Sequence, residues 1–312
     1  MEKFTVTVPQ HLAGERLDKV LSMLYPEHSR ARLQSWIKTG NVTVDNKTLR
    51  QKDAVQAGQS IVVTPEFEPD DKHAGEAIPL NIIHEDQEIL VINKPAGLIV
   101  HPGAGNREHT LLNALLYYHA GLERVARAGI VQRLDKDTSG IMVIAKTPAV
   151  HTYLVRQLRD RNIHREYQAV VCGVMTGGGD IDVPIGRHPV HRKRMAVVAS
   201  GKPAVTHYRI IRKYAAFTHV QVRLETGRTH QIRVHMAHLR HPVVGDPVYG
   251  RHRRLPAKLT PSLAEVIHAF PRQALHAFRL KLVHPLSNTL VQWTAPLPDD
   301  LLALLDALEH DN

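Results

Sequence analysis

The chain has 312 residues, of which 43% are hydrophobic and 22% charged, proportions that are ordinary for a globular protein with a sizeable core. Its formal net charge of +10 favours a polyanionic partner, and nucleic acid is preferred to a membrane because no segment approaches the apolar length of a spanning helix. The first residues lack the apolar core of a signal peptide and the single cysteine excludes an internal disulfide, so we expect a cytoplasmic protein.

The first part of the chain has the pattern of a small α/β domain, which we place at residues 1–64. The predicted elements are a strand at 4–8, a helix from near Arg16, a second helix that ends at Gly40, and strands at 42–44 and 61–63. The acidic, turn-rich residues 65–79 predict a linker, so we expect a large domain at residues 80–312.

The second predicted helix carries three cations outside its apolar face. Ser29 is the expected N-cap of this helix, because its side chain can accept a hydrogen bond from the first turn. Arg30, Arg32 and Lys38 would either lie against an RNA backbone or face solvent. The residues alone do not decide between these two interpretations.

The large domain is predicted to hold many strands and few helices. Strands are predicted at 82–83, 89–92, 98–100, 130–131, 141–145, 165–171, 204–211, 218–225, 279–283 and 289–294, and helices at 110–118, 149–159, within 226–239 and at 297–310. Because the two kinds of element do not alternate strictly, we expect an α+β fold with a mixed or mostly antiparallel central sheet.

A polar loop at residues 132–140 lies between two apolar stretches. Composition alone favours an ordinary turn, because Asp, Thr, Ser and Gly are turn formers. The loop is longer than a tight hairpin needs, however, and it holds cations beside its carboxylates. A lone carboxylate such as Asp135 can act as a nucleophile or a base if a cation keeps it ionised and aimed. Arg233 is the candidate cation, although sequence alone cannot place it beside Asp135.

Two other kinds of site are disfavoured by the local sequence. The clustered histidines are His230, His235, His238 and His241. They contain no HExxH pattern and no carboxylate follows them before Asp246, so hydrogen-bonded or RNA-facing histidines are preferred to a metal site. Ser139 could serve a hydrolase triad, but it lies in no GxSxG elbow and precedes a strand rather than a helix.

Residues 132–140, QRLDKDTSG, resemble the H-R-L-D-x-x-T-S-G signature of the RluA-type pseudouridine synthases. Further similar segments lie at 93–103, 165–171, 201–210, 224–238, 241–250 and 274–285, in the order found in that family. Residues 1–64 resemble an S4-type RNA-binding domain. The similarity therefore spans nearly the whole chain.

The resemblance implies isomerisation of uridine to pseudouridine in 23S ribosomal RNA. Asp135 takes the position of the family's catalytic aspartate, and Arg233 that of the arginine paired with it. Tyr167 takes the position of the tyrosine that stacks on the target base, although without the resemblance a sheet-packing role would be preferred. Arg133 takes the position of the arginine that fills the gap left by a flipped nucleotide. Through the S4 resemblance, Arg30, Arg32 and Lys38 become candidate phosphate contacts.

The resemblance also implies a partner and leaves one departure to explain. We expect 23S rRNA or an assembling large subunit as partner, a target stem-loop near the decoding centre, a monomer, and no metal or organic cofactor. The family usually has histidine where this chain has Gln132, and a glutamine does not titrate. An active protein therefore cannot use this position as a proton shuttle. A non-catalytic RNA-binding ribosome-assembly factor that retains the fold is the alternative.

Overall fold

A computed structural model of the chain describes residues 3–25, 28, 30–64, 73–103, 105–191, 194–250 and 259–311. The side chains of residues 30–32 are outside this description, so Arg30 and Arg32 are placed only as members of a helix. Ser29, the predicted cap of that helix, lies outside the described residues altogether. No helix in the described ranges is long and apolar enough to cross a membrane.

The small domain consists of two helices and a three-stranded sheet. Its elements are β1 (Phe4–Thr7), α1 (Leu17–Leu24), α2 (Arg30–Lys38), β2 (Val42–Val44) and β3 (Ser60–Val63). The strands are antiparallel in the order β1-β3-β2. Helix α2 ends as predicted at Gly40, whose φ of 80° gives the left-handed conformation that glycine adopts at helix ends. A separate apolar core that includes Leu17, Leu33 and Ile61 holds these elements together.

The large domain has a nine-stranded sheet. Its strands are β4 (Ile82–Glu85), β5 (Ile89–Lys94), β6 (Ser139–Ala145), β7 (His164–Cys172), β8 (Gly179–Asp182), β11 (Val205–Lys213), β12 (Phe217–Leu224), β13 (Leu275–Val283) and β14 (Leu290–Thr294). A separate pair is formed by β9 (Ile185–Arg187) and β10 (Met195–Val197). The helices are α3 (Leu111–Tyr118), α4 (Pro148–Arg159), α5 (Gln231–His238), α6 (Pro261–Ala269) and α7 (Asp299–His310).

The strand order is β4-β5-β6-β13-β7-β12-β11-β8, with β14 paired to the second half of β13. All pairs are antiparallel except β6 and β13, which run parallel through Ser139 and Gly140. The predicted mixed, mostly antiparallel sheet is therefore confirmed. Strand β6 is buried along its whole length, which explains its unbroken apolar sequence.

Several predicted elements were wrong or incomplete. Residues 98–100 form no strand and make only an isolated bridge from Ile99 to Thr110, because the chain turns at Gly97 with a φ of 86°. Ile130 likewise makes only an isolated bridge, to Ile144. Helix α6 was not predicted, although Thr260 caps it and Pro261 occupies its first position, a start signal that can be read from sequence.

The end of the predicted linker lies against the large domain. The Asn113 side chain donates to the Ala74 carbonyl at 2.8 Å, and Glu76 N–H donates to the Asn113 carbonyl at 3.0 Å. An added Cβ at Gly75 would lie 2.8 Å from the backbone nitrogen of Tyr117 in α3. Only a glycine permits this close approach. The two hydrogen bonds and the close packing together fix residues 74–76 on α3.

We expect Gly140→Ala to lower the free energy of unfolding by about 2–3 kcal/mol. The added methyl group would collide with backbone atoms, and no movement of a side chain could relieve that collision. The new Cβ would lie 2.2 Å from the Ala277 carbonyl oxygen, and the φ of 123° is one that alanine avoids. Denaturant unfolding measures the effect. Gly177→Ala is the control, since its Cβ would meet nothing within 4 Å. Equal losses in the two variants would contradict the prediction.

Candidate active site

A large cavity of about 1170 Å³ opens beside the polar loop of the large domain. Its lining includes Arg133 and Asp135 from the loop, Tyr167 from β7, and His230 and Arg233 from the start of α5. The fold thus brings together four residues that were singled out separately in the sequence as substrate-handling or catalytic candidates. Lys38 is exposed at the end of α2 in the small domain and is not among the lining residues.

Arg233 joins two carboxylates. Its Nη1 donates to Asp135 Oδ2 at 2.9 Å, while its Nε and Nη2 bind the two oxygens of Asp246 at 2.7 and 2.9 Å. The Asp246 side chain is completely buried, whereas that of Asp135 is 17% exposed. Asp246 therefore acts as the internal counterion, and Asp135 is the carboxylate that is accessible from the cavity.

The charge of Arg233 is stabilised despite its burial. Removal from water opposes the charged form, but the hydrogen bonds and charges of Asp246 and then of Asp135 outweigh it, so the pKa of Arg233 is raised above its ordinary value. The guanidinium also lies 5.2 Å from the centre of the Tyr249 ring. The arginine is a fixed cation whose geometry aims Asp135.

The start of α5 is fixed by a buried glutamine. Gln231 donates to the Val205 carbonyl at 3.0 Å and to Thr206 Oγ1 at 2.9 Å, and it accepts from the Thr226 hydroxyl at 2.8 Å. These bonds attach the first turn of the helix to β11. Arg233 lies in that turn, so its position relative to the sheet follows from Gln231.

His230, for which the sequence favoured a hydrogen-bonded or RNA-facing role over metal binding, is a neighbour of Asp135. Its Nε2 lies 3.8 Å from Asp135 Oδ1, the oxygen that Arg233 does not bind. Its Nδ1 is hydrogen-bonded to the Tyr249 hydroxyl at 2.8 Å, and its backbone is left-handed with a φ of 57°. Burial lowers the pKa of His230, which favours the neutral ring. The left-handed backbone at a cavity residue indicates a constrained site, but it could not be read from sequence.

The polar loop is held from below by a buried lysine. Lys94 is fully buried, and its Nζ donates to the carbonyl oxygens of Pro95 at 2.7 Å, Leu98 at 2.9 Å and Lys136 at 2.9 Å. Gly97 N–H donates to the same Lys136 carbonyl at 3.0 Å. The three protons of the ammonium group thus tie the loop to the turn after β5.

A buried arginine supports the other end of the loop. Arg272 Nη1 donates to the Asp137 carbonyl at 3.2 Å, and its Nε and Nη2 bind both oxygens of Asp300 at 2.6 and 2.8 Å. Gln273 donates to Thr138 Oγ1 at 2.9 Å. Together with Lys94, these groups fix the backbone on both sides of Asp135, so the loop is rigid rather than an ordinary surface turn.

Lys94 should make stability depend on pH. Burial lowers its pKa from 10.5 to about 7, although the carboxylates of Asp137 and Asp135 oppose the shift. The unfolded chain then binds more protons than the native one between these values, so the free energy of unfolding should rise with pH from about 7 to about 10.5. We expect Lys94→Met to remove this rise in denaturant titrations. Lys136→Met, which removes an exposed charge from the same loop, is the control, and parallel curves for wild type and Lys94→Met would contradict the prediction.

Tyr167 and Arg133 differ in their exposure to solvent. Tyr167 lies on β7 with 7% of its surface exposed, and burial raises the pKa of its hydroxyl. Arg133 is exposed at the edge of the loop, and Gln132 beside it also lines the cavity. A buried ring and an exposed cation therefore face the same space.

The histidines that were weighed as metal ligands make hydrogen bonds within the protein instead. His235 is buried against Thr206 Oγ1 at 2.8 Å and the Val183 carbonyl at 3.1 Å, and His241 Nδ1 is hydrogen-bonded to the Cys172 carbonyl at 2.8 Å. Among the residues that the structure describes, no group of three or more His, Cys, Asp or Glu could hold a metal ion.

Ser139 does pair with a histidine, but the pair does not form a hydrolase triad. Its hydroxyl lies 2.9 Å from His276 Nδ1, and the other ring nitrogen faces the Ala295 carbonyl at 3.4 Å rather than a carboxylate. Burial lowers the pKa of His276 to about 4. Ser139 is 3% exposed and does not line the cavity that holds Asp135, so this pair joins β6 to β13 and has no access to a substrate there.

Comparisons with known proteins find matches for both domains. A family model described as RNA pseudouridylate synthase matches residues 88–238, and a model of the S4 domain matches residues 15–61. The chain is 53% identical over 304 residues to ribosomal large subunit pseudouridine synthase D of Pseudomonas aeruginosa, covering 97% of this chain and 95% of the relative. It is 48% identical over 310 residues to the protein of the same name from Escherichia coli K12, covering 99% and 95%.

A solved structure is also similar. Human RNA pseudouridylate synthase domain containing 4 superposes with a TM-score of 0.58 at 27% identity, covering 73% of this chain and 93% of that one. The similarity thus extends from sequence to three-dimensional structure over most of the chain.

Proposed function

The chain belongs to the RNA pseudouridylate synthases and is an isomerase, and on that premise we propose that it converts uridine to pseudouridine in 23S ribosomal RNA. Both resemblances drawn from the sequence, to this family and to the S4 domain, are confirmed. The relatives named above are large-subunit synthases, which supports the proposed substrate. The proposed target is a stem-loop near the decoding centre, in free 23S rRNA or in an assembling large subunit.

The observation that carries this proposal is the cavity-facing carboxylate of Asp135. Arg233 binds one of its oxygens, and the other remains accessible. In the proposed reaction the N1–C1′ bond of uridine breaks, the uracil turns, and C5 bonds to C1′. The proton on C5 is lost and N1 gains one, so the reaction is an isomerisation. Asp135 either attacks the sugar or removes a sugar proton to form a glycal.

The cavity supports a flipped nucleotide as the bound species. Its volume of about 1170 Å³ is at or above the upper end of ordinary small-molecule pockets. A base paired in a duplex could not reach Asp135, so the nucleotide must leave its stack. In this proposal Tyr167 stacks on the uracil, and Arg133 fills the gap that the nucleotide leaves. The isomerisation needs no electron transfer and no co-substrate, so we propose that it requires no cofactor.

The small domain is proposed to bind RNA through its second helix. Arg30, Arg32 and Lys38 are the candidate phosphate contacts, which would add affinity without reading sequence. The proposed division remains residues 1–64 and 80–312 around a linker at 65–79, although residues 74–76 lie on α3. We propose that one monomer in the cytoplasm carries out the reaction, which sedimentation of the purified protein with and without RNA would check.

Pseudouridine mapping tests the proposal. In 23S rRNA from cells that lack the protein, we expect pseudouridines to disappear from one stem-loop and to return with the wild-type gene. Purified protein should modify a transcript of that region in the presence of a metal chelator. An unchanged map, together with defective subunit assembly, would favour the non-catalytic assembly factor. A chelator-sensitive reaction would point to a metal enzyme instead.

A further inference from the structure

The cavity has two walls that differ in how their cations are engaged. On the wall formed by β7 and the segment before α5, Arg161 pairs with the Glu225 carboxylate at 2.8 Å, and Arg165 donates to the Glu225 carbonyl at 3.3 Å. Arg228 donates to the Pro203 carbonyl at 3.0 Å. Each of these guanidinium groups thus already has a protein acceptor.

The second wall has basic side chains without such acceptors. It contains His73, His101, Arg127 and Arg133, all of which line the cavity. Within the described ranges, none of the four makes a hydrogen bond or an ion pair with a carboxylate. The two arginines are exposed and the two histidines half-buried. Four basic side chains that converge on one space without counterions form an anion-binding surface.

The four side chains are close enough to influence one another. Burial, followed by the charges of Arg127, Arg133 and His73, lowers the pKa of His101 to about 4. The His101 ring is therefore neutral at neutral pH, and Arg127 and Arg133 supply fixed positive charges on this wall. The charge of Arg133 also acts on His230 beside Asp135, so the wall continues into the catalytic part of the cavity.

Arg127 is held in place by a strained turn. Arg127 and Ala128 both have left-handed backbones, with φ of 54° and 50°, and Gly129 follows with a φ of 79°. Left-handed conformation costs non-glycine residues roughly 1–2 kcal/mol each, so it persists only where the surroundings impose it. Here an added Cβ at Gly129 would lie 2.0 Å from the Ala145 carbonyl, which shows how tightly the turn is fixed on β6. The strained backbone therefore includes Arg127, whose side chain lines the cavity.

The geometry points to a phosphate clamp: His101, Arg127 and His73 bind a phosphodiester of the RNA backbone next to the nucleotide that enters the cavity, while Arg133 stays free to fill the gap in the stack. This inference rests on the proposed function for its ligand, because an RNA substrate brings a phosphate to each side of the flipped nucleotide. The guanidinium group of Arg127 suits a phosphate, since it offers a fork of donors. The neutral His101 adds a donor without adding charge. Anchoring of the backbone here would hold the flipped nucleotide over Asp135.

Salt dependence of RNA binding separates a clamp from general charge. The probe is a synthetic RNA hairpin with uridines in its loop, bound to full-length protein that carries Asp135→Asn so that no turnover occurs. We expect Arg127→Gln to weaken binding several-fold and to reduce the slope of log affinity against log salt by about 0.7–0.9, the loss of one phosphate contact. Arg161→Gln removes the same charge from the same cavity and should change the slope less, because Glu225 already holds that guanidinium. Equal slopes for the two variants would overturn the clamp.

Two further variants test whether the effect of Arg127→Gln comes from a disturbed turn rather than from a lost phosphate contact. Arg127→Lys keeps the charge in the same backbone and should retain the salt slope while it loses part of the affinity. His101→Gln should weaken binding without changing the slope, because the ring it replaces is neutral at neutral pH. If Arg127→Lys lost the slope as fully as Arg127→Gln does, the effect would come from the turn, and the clamp would be rejected.

Neutral backbone substitution identifies the contacted phosphate. A methylphosphonate placed at successive positions of the hairpin loop should weaken binding of the parent protein at one position and leave Arg127→Gln unaffected at that position. Additive losses at every position would overturn the proposal. These binding measurements need no catalysis. Absence of pseudouridine formation by the wild type would therefore defeat the proposed function, whereas additive losses would defeat the clamp alone.

Discussion

Asp135→Asn should abolish pseudouridine formation, by a factor on the order of 10³ or more, and leave RNA affinity within a few-fold of the wild type. The amide has nearly the same shape as the carboxylate, but it can neither attack the sugar nor remove a proton from it. Its oxygen can still accept from Arg233 Nη1, which now lies 2.9 Å from Asp135 Oδ2. The loop should therefore keep its structure while the chemistry fails.

The matched control for this variant is Asp137→Asn. It removes a carboxylate from the same loop, but Asp137 does not line the cavity, and its contact with Arg272 is made by the backbone carbonyl. We expect nearly full activity. Single-turnover kinetics with saturating enzyme separate the chemical step from binding, and filter binding gives the affinity. Turnover by Asp135→Asn at a rate near that of the wild type would end the assignment of Asp135.

Arg233→Met should lower the free energy of unfolding by about 3–5 kcal/mol and remove activity as well. The loss of stability arises because the Asp246 carboxylate, which is completely buried, would lose the cation that binds both its oxygens. The loss of activity has a separate cause, because Asp135 would lose the hydrogen bond that aims it. Chemical unfolding and single-turnover assays measure the two effects independently.

A second substitution separates these two effects. Asp246→Asn in the Arg233→Met background removes the unpaired buried charge, and its side-chain oxygen can still accept from Val248 and Tyr249, which donate to Asp246 Oδ1 at 2.8 and 3.0 Å. We expect the double variant to recover part of the lost stability but no activity. Recovery of activity with stability would show that Arg233 serves only the fold.

Sequence reasoning found the parts of this protein that depend on local pattern. The helix predicted at 110–118 is α3, and Thr110 at its start accepts from Asn113 N–H. The buried strand β6 was predicted from its apolar run, because a strand covered on both faces has no polar side. Asp135 and Arg233 were paired only through the family resemblance, since they are 98 residues apart.

The remainder of the site depends on contacts that no local pattern records. Lys94 reads as an ordinary charged residue after a strand, yet it is fully buried beneath the loop. Asp246 was mentioned only as a distant carboxylate, although it is the main partner of Arg233. Arg127 and Ala128 have left-handed backbones although neither is a glycine. Their conformation is imposed by the packing of the following Gly129 on β6. Such features become visible only when the strands are assembled.

The parallel pairing of β6 with β13 also determines when this site can exist. Ser139 and His276 are 137 residues apart, and β13 lies in the middle of the sheet between β6 and β7. Until β13 is added, each of these strands presents an open edge, and such edges associate readily with other chains. Long-range pairing of this kind is slow to form. A chain still emerging from the ribosome must therefore reach β13 before it can close its sheet, so catalytic competence and protection from aggregation are acquired late and in the same step.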